Sequence, residues 1–146
     1  FDSIIELGLG GGSLVRHLYQ RHPNITYTCV EKSQQAIDWF HAYFNPQQCP
    51  VNVLAADANL VLPRLTPADV LLCDLFSDFG SPAFLFQPEF YQTCADKFTD
   101  TLIINLLPRS QAELDRVTQL TTQQFEQVPD IVKVENMLNH LIVIKI

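Results

Sequence analysis

Three glycines follow a short apolar segment near the start of the chain. They form the pattern Gly8-x-Gly10-x-Gly12, between an apolar stretch and a segment with helical spacing. Glycine at such a junction permits positive φ angles and lets a ligand approach the backbone closely. The free N–H groups at the start of the following helix suit a polar ligand. The pattern therefore predicts a ligand-binding loop, with a tight structural turn as the alternative interpretation.

Acidic residues lie at the ends of four successive predicted strands. They are Glu6, Glu31, Asp57 and Asp74. In an open parallel sheet, ligands bind at the carboxyl ends of the strands, and an acid after the second strand can accept hydrogen bonds from both ribose hydroxyls. Asp57, which precedes Ala58, is placed to hold the amino group of an adenine. Helix caps and ordinary turn residues are the alternative interpretation of each acid.

The elements that must position these residues alternate between strand and helix. Apolar and β-branched runs predict strands over 3–7, 25–30, 51–56, 69–73 and 101–106. Helical spacing predicts helices over 14–21, from Ser33 onwards, over 89–98 and over 110–124, and a closing hairpin is expected from 131–135 and 141–146. Such alternation indicates a parallel sheet with helices on both faces. We therefore predict a single α/β, Rossmann-like domain over 1–146, with seven strands and an antiparallel C-terminal hairpin.

Composition excludes several classes of partner. The 146 residues include 16 acidic and 9 basic side chains, for a formal net charge of −7, so we expect no nucleic acid, which requires a basic face. No apolar run reaches the roughly 18 residues of a membrane span. The four cysteines form no CxxC pair and the four histidines show no metal-ligand spacing. These features predict reduced thiols, a cytoplasmic location and no metal.

Two nucleoside cofactors are compatible with the loop and the acids. A dinucleotide loop usually reads GxGxxG, whereas this loop reads GxGxG. Glu6, just before the loop, would oppose a pyrophosphate but suits the ammonium of an S-adenosylmethionine-type ligand. The segment Ile4-Ile-Glu-Leu-Gly-Leu-Gly-Gly-Gly12 resembles the first motif of class I S-adenosylmethionine-dependent methyltransferases. Segments 30–31, 56–58, 69–82 and 85–91 are similar to the spermidine synthase (polyamine aminopropyltransferase) family, and the likeness extends from Ile4 to about Leu106.

The resemblance implies a class I methyltransferase fold, S-adenosylmethionine or its decarboxylated form as cofactor, and transfer of a methyl or aminopropyl group to a small, amine-bearing acceptor such as a polyamine. It implies that Glu31 binds the ribose and that Asp57 and Ala58 hold the adenine. Asp74 matches the family's catalytic acid, which helps to deprotonate the attacking amine, and Asp78 matches a second acid that binds the polyamine. Gly8, Gly10 and Gly12 would line the cofactor.

Three features depart from the family's pattern. Gly11 stands where the family carries an aspartate that holds the aminopropyl amine. Asp74 and Asp78 are separated by three residues, where the family usually has two. The family's N-terminal β-hairpin region has no counterpart in these residues, which resemble a domain trimmed at its flanks. A non-catalytic adenosyl-ligand-binding or dimerisation module therefore stands as the alternative function, and a homodimer is a further expectation.

Overall fold

A seven-stranded sheet forms the centre of the molecule, which the computed structural model describes over residues 1–146. The strands are β1 (Ser3–Leu7), β2 (Thr26–Glu31), β3 (Asn52–Ala55), β4 (Ala68–Cys73), β5 (Phe98–Leu106), β6 (Asp130–Lys133) and β7 (His140–Lys145). Their order across the sheet is β3-β2-β1-β4-β5-β7-β6. The first five strands run parallel, while β7 pairs antiparallel with both β5 and β6. The predicted fold class and the antiparallel C-terminal hairpin are confirmed.

Five α-helices connect and cover the strands. They are α1 (Ser13–Arg21), α2 (Gln34–Trp39), α3 (Ala58–Val61), α4 (Pro88–Ala95) and α5 (Gln111–Phe125). Serines start two of them as predicted: the Ser33 hydroxyl caps α2 and the Ser110 hydroxyl caps α5, each satisfying a backbone N–H that the helix leaves free. None of the helices is long and apolar enough to span a bilayer.

Two apolar clusters stabilise the sheet. One contains Val15 and Tyr19 of α1 with Phe40, and the other contains residues from α4 and α5 together with the inner strands. Burial of this kind contributes roughly 25 cal/mol per Å² of apolar surface removed from water. Strands β1 and β4 contribute residues to both clusters, so packing on these central strands positions the loops that follow them.

Local structure varies among the short helices. The α1 residues that bury most deeply are Val15 and Tyr19, whereas Leu14 and Leu18 are only half-buried. Helix α2 ends at Trp39 and continues as a π-helical turn over Phe40–Phe44, so Phe40 is buried and Trp39 is exposed. Helix α3 is only four residues long, which is too short for apolar periodicity to indicate it.

Candidate functional site

The glycine-loop cleft opens at the carboxyl ends of the first four strands. It has a volume of about 270 Å³. Its lining comes from the loop after β1, the end of β2, the start of α3 and the segment after β4. The lining residues are Gly8, Gly10, Val30, Glu31, Lys32, Ala56, Asp57, Ala58, Asp74, Leu75, Phe76, Ser77, Pro82 and Phe84. Six of the nine residues predicted for the site, namely Gly8, Gly10, Glu31, Asp57, Ala58 and Asp74, therefore lie on one cavity.

The glycine loop is shaped by close packing at two of its positions. Gly8 has a φ of 97°, and a Cβ there would overlap the carbonyl oxygen of Asp74. Gly12 has a φ of 65° and lies against the ring of Phe40, so it does not line the cleft. Gly10 borders the cleft and has open space beside it. Gly12 is thus required by packing beneath the loop, and its predicted contact with a ligand is not part of the observed lining.

Glu31 links the glycine loop to helix α2. The Leu9 N–H donates to Glu31 Oε2 at 3.1 Å, and the Ser33 N–H donates to Glu31 Oε1 at 2.8 Å. A carboxylate has about four lone-pair positions, so both oxygens keep capacity for a further donor. Glu31 is therefore positioned by the backbone on both sides while it faces the cleft.

Asp57 serves as the N-cap of α3 and also borders the cleft. Its Oδ1 accepts a hydrogen bond from the Asn59 N–H at 2.9 Å. The side chain is exposed, whereas Ala58 behind it is buried. The cap and the proposed adenine contact are compatible, because one carboxylate oxygen satisfies the helix and the other is left for a ligand.

Asp74 follows β4 directly and is held by the neighbouring strands. Its backbone N–H donates to the Leu7 carbonyl at 2.9 Å. Its Oδ1 accepts a hydrogen bond from Asn105 Nδ2 at 2.8 Å, and Asn105 Oδ1 in turn accepts one from Asn139 Nδ2 at 3.0 Å. Asn105 was not among the residues predicted for the site, although a polar residue near the carboxyl end of a central strand is a signal for one.

Glu6 lies beneath the loop rather than on the cleft. It is 2% exposed, and the Tyr27 hydroxyl donates to its Oε2 at 2.9 Å. Burial raises the pKa of Glu6 to about 8; the Tyr27 hydrogen bond lowers it and the charge of Asp74 raises it further. Glu6 is therefore not part of the cleft lining, and its contact with a ligand ammonium stays a prediction.

Asp78 is also outside the cleft. It sits at the tip of a tight turn in which the Ser77 N–H donates to the Gly80 carbonyl at 2.7 Å, and its side chain is exposed. Asp78 is thus not part of the cleft lining, although its neighbour Ser77 is, and its predicted contact with a substrate stays a prediction. Of the aromatic residues around this turn, Phe76 and Phe84 line the cleft, whereas Phe90 and Tyr91 belong to the core.

A second cavity, the sheet-face cleft, lies between α1 and strands β1, β4, β5 and β7. Its volume is about 430 Å³. The lining is mainly apolar and consists of Phe1, Ile4, Leu14, Leu18, Val70, Leu72, Asp74, Thr101, Ile103, Asn105 and Leu141. Asp74 lines both this cleft and the glycine-loop cleft. A carboxylate thus stands at the junction of a polar cavity and an apolar one.

The charges of the glycine-loop cleft favour a ligand that is cationic in part. Glu31, Asp57 and Asp74 border it, and Lys32 is the basic residue in the lining. Three carboxylates that converge on one cavity create a negative potential that attracts cations. The same carboxylates accept hydrogen bonds from hydroxyl and amino groups, as a nucleoside requires.

Known proteins share sequence or fold with this chain. No protein-family model matches the chain. Over 91 residues, 62% of this chain and 20% of the relative, it is 31% identical to a "Probable polyamine aminopropyl transferase" of Bifidobacterium longum (strain NCC 2705). The chain therefore corresponds to a small part of that relative.

Solved structures of two kinds share the fold. Human methyltransferase-like protein 13 in complex with SAH matches with a TM-score of 0.86 and 24% identity, over 97% of this chain and 70% of that one. A probable spermidine synthase from Corynebacterium glutamicum ATCC 13032 matches with a TM-score of 0.80 and 21% identity, over 97% and 55%. A spermidine synthase in complex with the transition state analogue AdoDATO matches with a TM-score of 0.75 and 14% identity, over 99% and 52%.

The sheet order, the glycine loop and these likenesses define the fold as that of the class I S-adenosylmethionine-dependent methyltransferases. Among proteins with this fold, the chain is similar to spermidine synthases and to the probable polyamine aminopropyl transferase of Bifidobacterium longum.

Proposed function

We propose that the chain binds an S-adenosylmethionine-type ligand in the glycine-loop cleft and transfers a methyl or aminopropyl group from it to a small amine. The observation that carries the proposal is the convergence of Glu31, Asp57 and Asp74 with the glycine loop on one cavity. The ligand in the human methyltransferase-like structure, and the analogue in the spermidine synthase structure, support the same ligand class.

Each part of such a ligand has a suitable partner in the cleft. The two ribose hydroxyls donate to the free lone pairs of Glu31, whose carboxylate is already oriented by the Leu9 and Ser33 N–H groups. The adenine amino group donates to the oxygen of Asp57 that does not cap α3. Gly10 leaves room for the ligand to approach the loop backbone, because it has no side chain and open space beside it.

Asp74 is the residue that we assign to the chemistry. A protonated amine is not a nucleophile, and a carboxylate within hydrogen-bonding distance can both hold it and accept its proton. The amine nitrogen then forms a bond to the sulfonium-bound carbon, while the carbon–sulfur bond breaks and its electron pair stays on sulfur. The protein contributes orientation of the two reactants and the removal of one proton.

The position of Asp74 between two cavities supports this role. A ligand in the glycine-loop cleft reaches the carboxylate from one side, and an acceptor in the sheet-face cleft reaches it from the other. The apolar lining of the sheet-face cleft suits an amine with hydrocarbon segments, such as a polyamine. A role in polyamine biosynthesis, a cytoplasmic location and a homodimer stay predictions.

Calorimetric titration of the chain with S-adenosylmethionine, its decarboxylated form and S-adenosylhomocysteine tests the proposal. We expect saturable binding that weakens on the order of 10-fold or more in Glu31→Gln, because charge-assisted hydrogen bonds contribute about 1.5–3 kcal/mol. The matched control is Glu135→Gln, at an exposed hairpin turn, which should bind like the unaltered chain. Failure of all three ligands to bind would reject the proposal.

The preference between the two forms of the cofactor identifies the transferred group. Gly11, in place of the family's aspartate, favours ordinary S-adenosylmethionine and methyl transfer, whereas the segment around Asp74 resembles the aminopropyl lineage. Tighter binding of the decarboxylated form would exclude the methyl interpretation. The product formed with 1,4-diaminobutane as the probe acceptor, measured by mass spectrometry, provides the second readout.

A non-catalytic adenosyl-ligand-binding module is the second candidate. The exposed position of Asp78, outside the cleft, favours it, because the family's pattern of two acids at the acceptor is then incomplete. The two functions differ in the behaviour of Asp74→Asn. Loss of turnover with unchanged S-adenosylhomocysteine affinity supports catalysis and excludes the non-catalytic module.

A further inference from the structure

We propose that Asn105 is a positioning residue for Asp74 and that Asn139 fixes Asn105 in the required orientation. The proposal rests on the proposed function of Asp74. It extends the site beyond the glycine loop and the segment around Asp74, to the end of β5 and to the loop between β6 and β7.

The three side chains form a linear hydrogen-bonded series. Asn139 Nδ2 donates to Asn105 Oδ1 at 3.0 Å, and Asn105 Nδ2 donates to Asp74 Oδ1 at 2.8 Å. All three residues are partly buried, so water competes less for these contacts than it does at an exposed site. The second carboxylate oxygen of Asp74, Oδ2, makes no hydrogen bond within the chain and is the oxygen left for an amine.

The direction of the series follows from the chemistry of the groups. A carboxylate only accepts hydrogen bonds, so Asn105 must present its NH₂ group to Asp74 rather than its carbonyl oxygen. An asparagine alone could rotate by half a turn and present the wrong end. The hydrogen bond from Asn139 Nδ2 to Asn105 Oδ1 opposes that rotation. The rotated amide would turn its own NH₂ group toward the NH₂ group of Asn139, and two donors cannot form a hydrogen bond.

The sheet register places the three residues together. Cys73 pairs with Ile104 across β4 and β5, so the next residues, Asp74 and Asn105, are neighbours. Asn105 pairs with Leu141 across β5 and β7, and Asn139 stands two residues before Leu141 on the same face of the sheet. Diagonal neighbours of this kind are within reach of amide side chains. The antiparallel hairpin is thus a structural part of the site.

The consequence is a carboxylate with a defined plane. With Oδ1 held by Asn105, rotation about the last side-chain bond of Asp74 is restricted and Oδ2 keeps one direction. A general base acts efficiently when its acceptor atom is held within hydrogen-bonding reach of the proton to be removed. Misplacement by about 1 Å can lower a rate on the order of 100-fold, so a neutral residue that orients the base has a measurable effect on kcat.

Three substitutions at the series, with one control, test the proposal. Asn105→Leu removes the donor to Asp74 and keeps a similar volume, Asn139→Leu removes the donor to Asn105, and Asn105→Asp replaces the amide with a second carboxyl group. Asn24→Leu is the matched control, because Asn24 is exposed in the loop before β2, at the opposite end of the strands. The protein is assayed with S-adenosylmethionine or its decarboxylated form and 1,4-diaminobutane.

We expect Asn105→Leu to lower kcat on the order of 10-fold or more, and Asn139→Leu to lower it less. S-adenosylhomocysteine affinity and the melting temperature should change little in both variants. Asn24→Leu should change none of these values. Equal losses of cofactor affinity and kcat, or an unchanged kcat in Asn105→Leu, would overturn the positioning role.

Asn105→Asp provides a readout that a purely structural role would not produce. Two carboxyl groups at 2.8 Å cannot both be ionised at low cost, so they share one proton, and the protonated group then donates a hydrogen bond as the amide did. We expect activity of this variant, relative to the unaltered chain, to recover as the pH is lowered. A constant ratio across pH contradicts the proposal.

Other titratable groups surround Asp74 and are unchanged in these variants. They are Glu6 on β1, Tyr27 and Cys29 on β2 and Cys73 on β4, together with Glu31 and Asp57 on the same cleft. A pH response that appears only in Asn105→Asp therefore arises from the new pair of carboxyl groups.

A spectroscopic measurement separates this proposal from the proposed function. The side-chain amide signals of Asn105, assigned in nitrogen–proton spectra by their loss in Asn105→Leu, should shift in Asp74→Ala and in Asn139→Leu. If these signals keep their chemical shifts in both variants, the hydrogen-bonded series of Asn139, Asn105 and Asp74 does not exist, whether or not the chain is an enzyme. Absence of S-adenosylhomocysteine binding with shifted signals would reject the proposed function instead.

Discussion

The hydroxyl group of Tyr27 donates a 2.9 Å hydrogen bond to the carboxyl group of Glu6 directly beneath the glycine loop. The two residues lie on adjacent parallel strands, with Glu6 in register with Cys29 and Tyr27 with Ile4. Burial disfavours ionisation of both groups: it raises the pKa of Glu6 to about 8 and raises that of Tyr27 above its usual value. The floor of the loop is therefore a protonated, hydrogen-bonded pair at neutral pH.

Stability should fall as the pH rises through neutrality because of Glu6. The unfolded chain has an ordinary Glu pKa near 4.5, whereas the folded value is about 8. The folded state thus keeps a proton that the unfolded state has lost, and the contribution of Glu6 is present below pH 4.5 and lost progressively up to about pH 8. The loss is on the order of 3–5 kcal/mol. Denaturant unfolding between pH 4 and 9 measures it.

Glu6→Gln is the variant that isolates this effect. A neutral amide accepts the Tyr27 hydrogen bond at every pH, so the difference in free energy of unfolding between variant and unaltered chain should grow in favour of the variant as the pH rises. Glu135→Gln, in an exposed turn, should leave the pH dependence unchanged. Parallel stability curves for Glu6→Gln and the unaltered chain would contradict the assignment.

Alanine substitutions in the glycine loop should differ sharply by position. A Cβ at Gly8 overlaps the backbone carbonyl of Asp74, whereas Gly10 and Gly11 have open space around them. Gly8→Ala should lower the free energy of unfolding by about 2 kcal/mol or more, since backbone must move. Gly10→Ala should cost about 1 kcal/mol through its positive φ. Gly11→Ala is the matched control, because Gly11 has neither a close contact nor a positive φ. If Gly11→Ala lowered the free energy of unfolding as much as Gly8→Ala, the packing argument would be refuted.

Asp57 should have separable effects on stability and ligand binding. Asn caps a helix about as well as Asp, whereas Ala does not and costs about 1 kcal/mol. Asp57→Asn should therefore retain the melting temperature and Asp57→Ala should lower it. Both variants should weaken S-adenosylhomocysteine binding if the carboxylate contacts the adenine. If Asp57→Asn left the S-adenosylhomocysteine affinity unchanged, Asp57 would cap α3 without its carboxylate contributing to ligand binding.

The four cysteines should react with an alkylating reagent in two groups. Cys29, Cys73 and Cys94 are buried, and burial raises the pKa of each thiol, which suppresses the reactive thiolate. Cys49 is only half-buried. Mass spectrometry of the native protein after brief exposure to iodoacetamide should find label at Cys49 first, and Cys49→Ser should remove that label. Rapid native labelling of Cys73 would contradict the packed core.

The strands and the positions of Glu31 and Asp74 were predictable from the sequence, because β-branched and apolar runs mark strands and the residue after such a run lies at the sheet edge. The burial of Glu6 was not, since it depends on the pairing of β1 with Tyr27 on β2. Asn139 gave no local signal, because its contact with Asn105 arises only when β7 pairs with β5. The exposed position of Asp78 follows from the tight turn over residues 77–80, which its spacing from Asp74 along the chain does not indicate.

The insertion of β7 between β5 and β6 has a consequence for synthesis on the ribosome. Because β7 follows β6 along the chain, the open edge of the apolar strand β5 has no partner while residues 98–139 emerge. That edge is a template for pairing with other chains until β7 arrives. The pairing of β7 with β5 therefore covers that edge and brings Asn139 to Asn105, which holds Asp74, so the nascent chain acquires protection from aggregation and an oriented carboxylate in the same step.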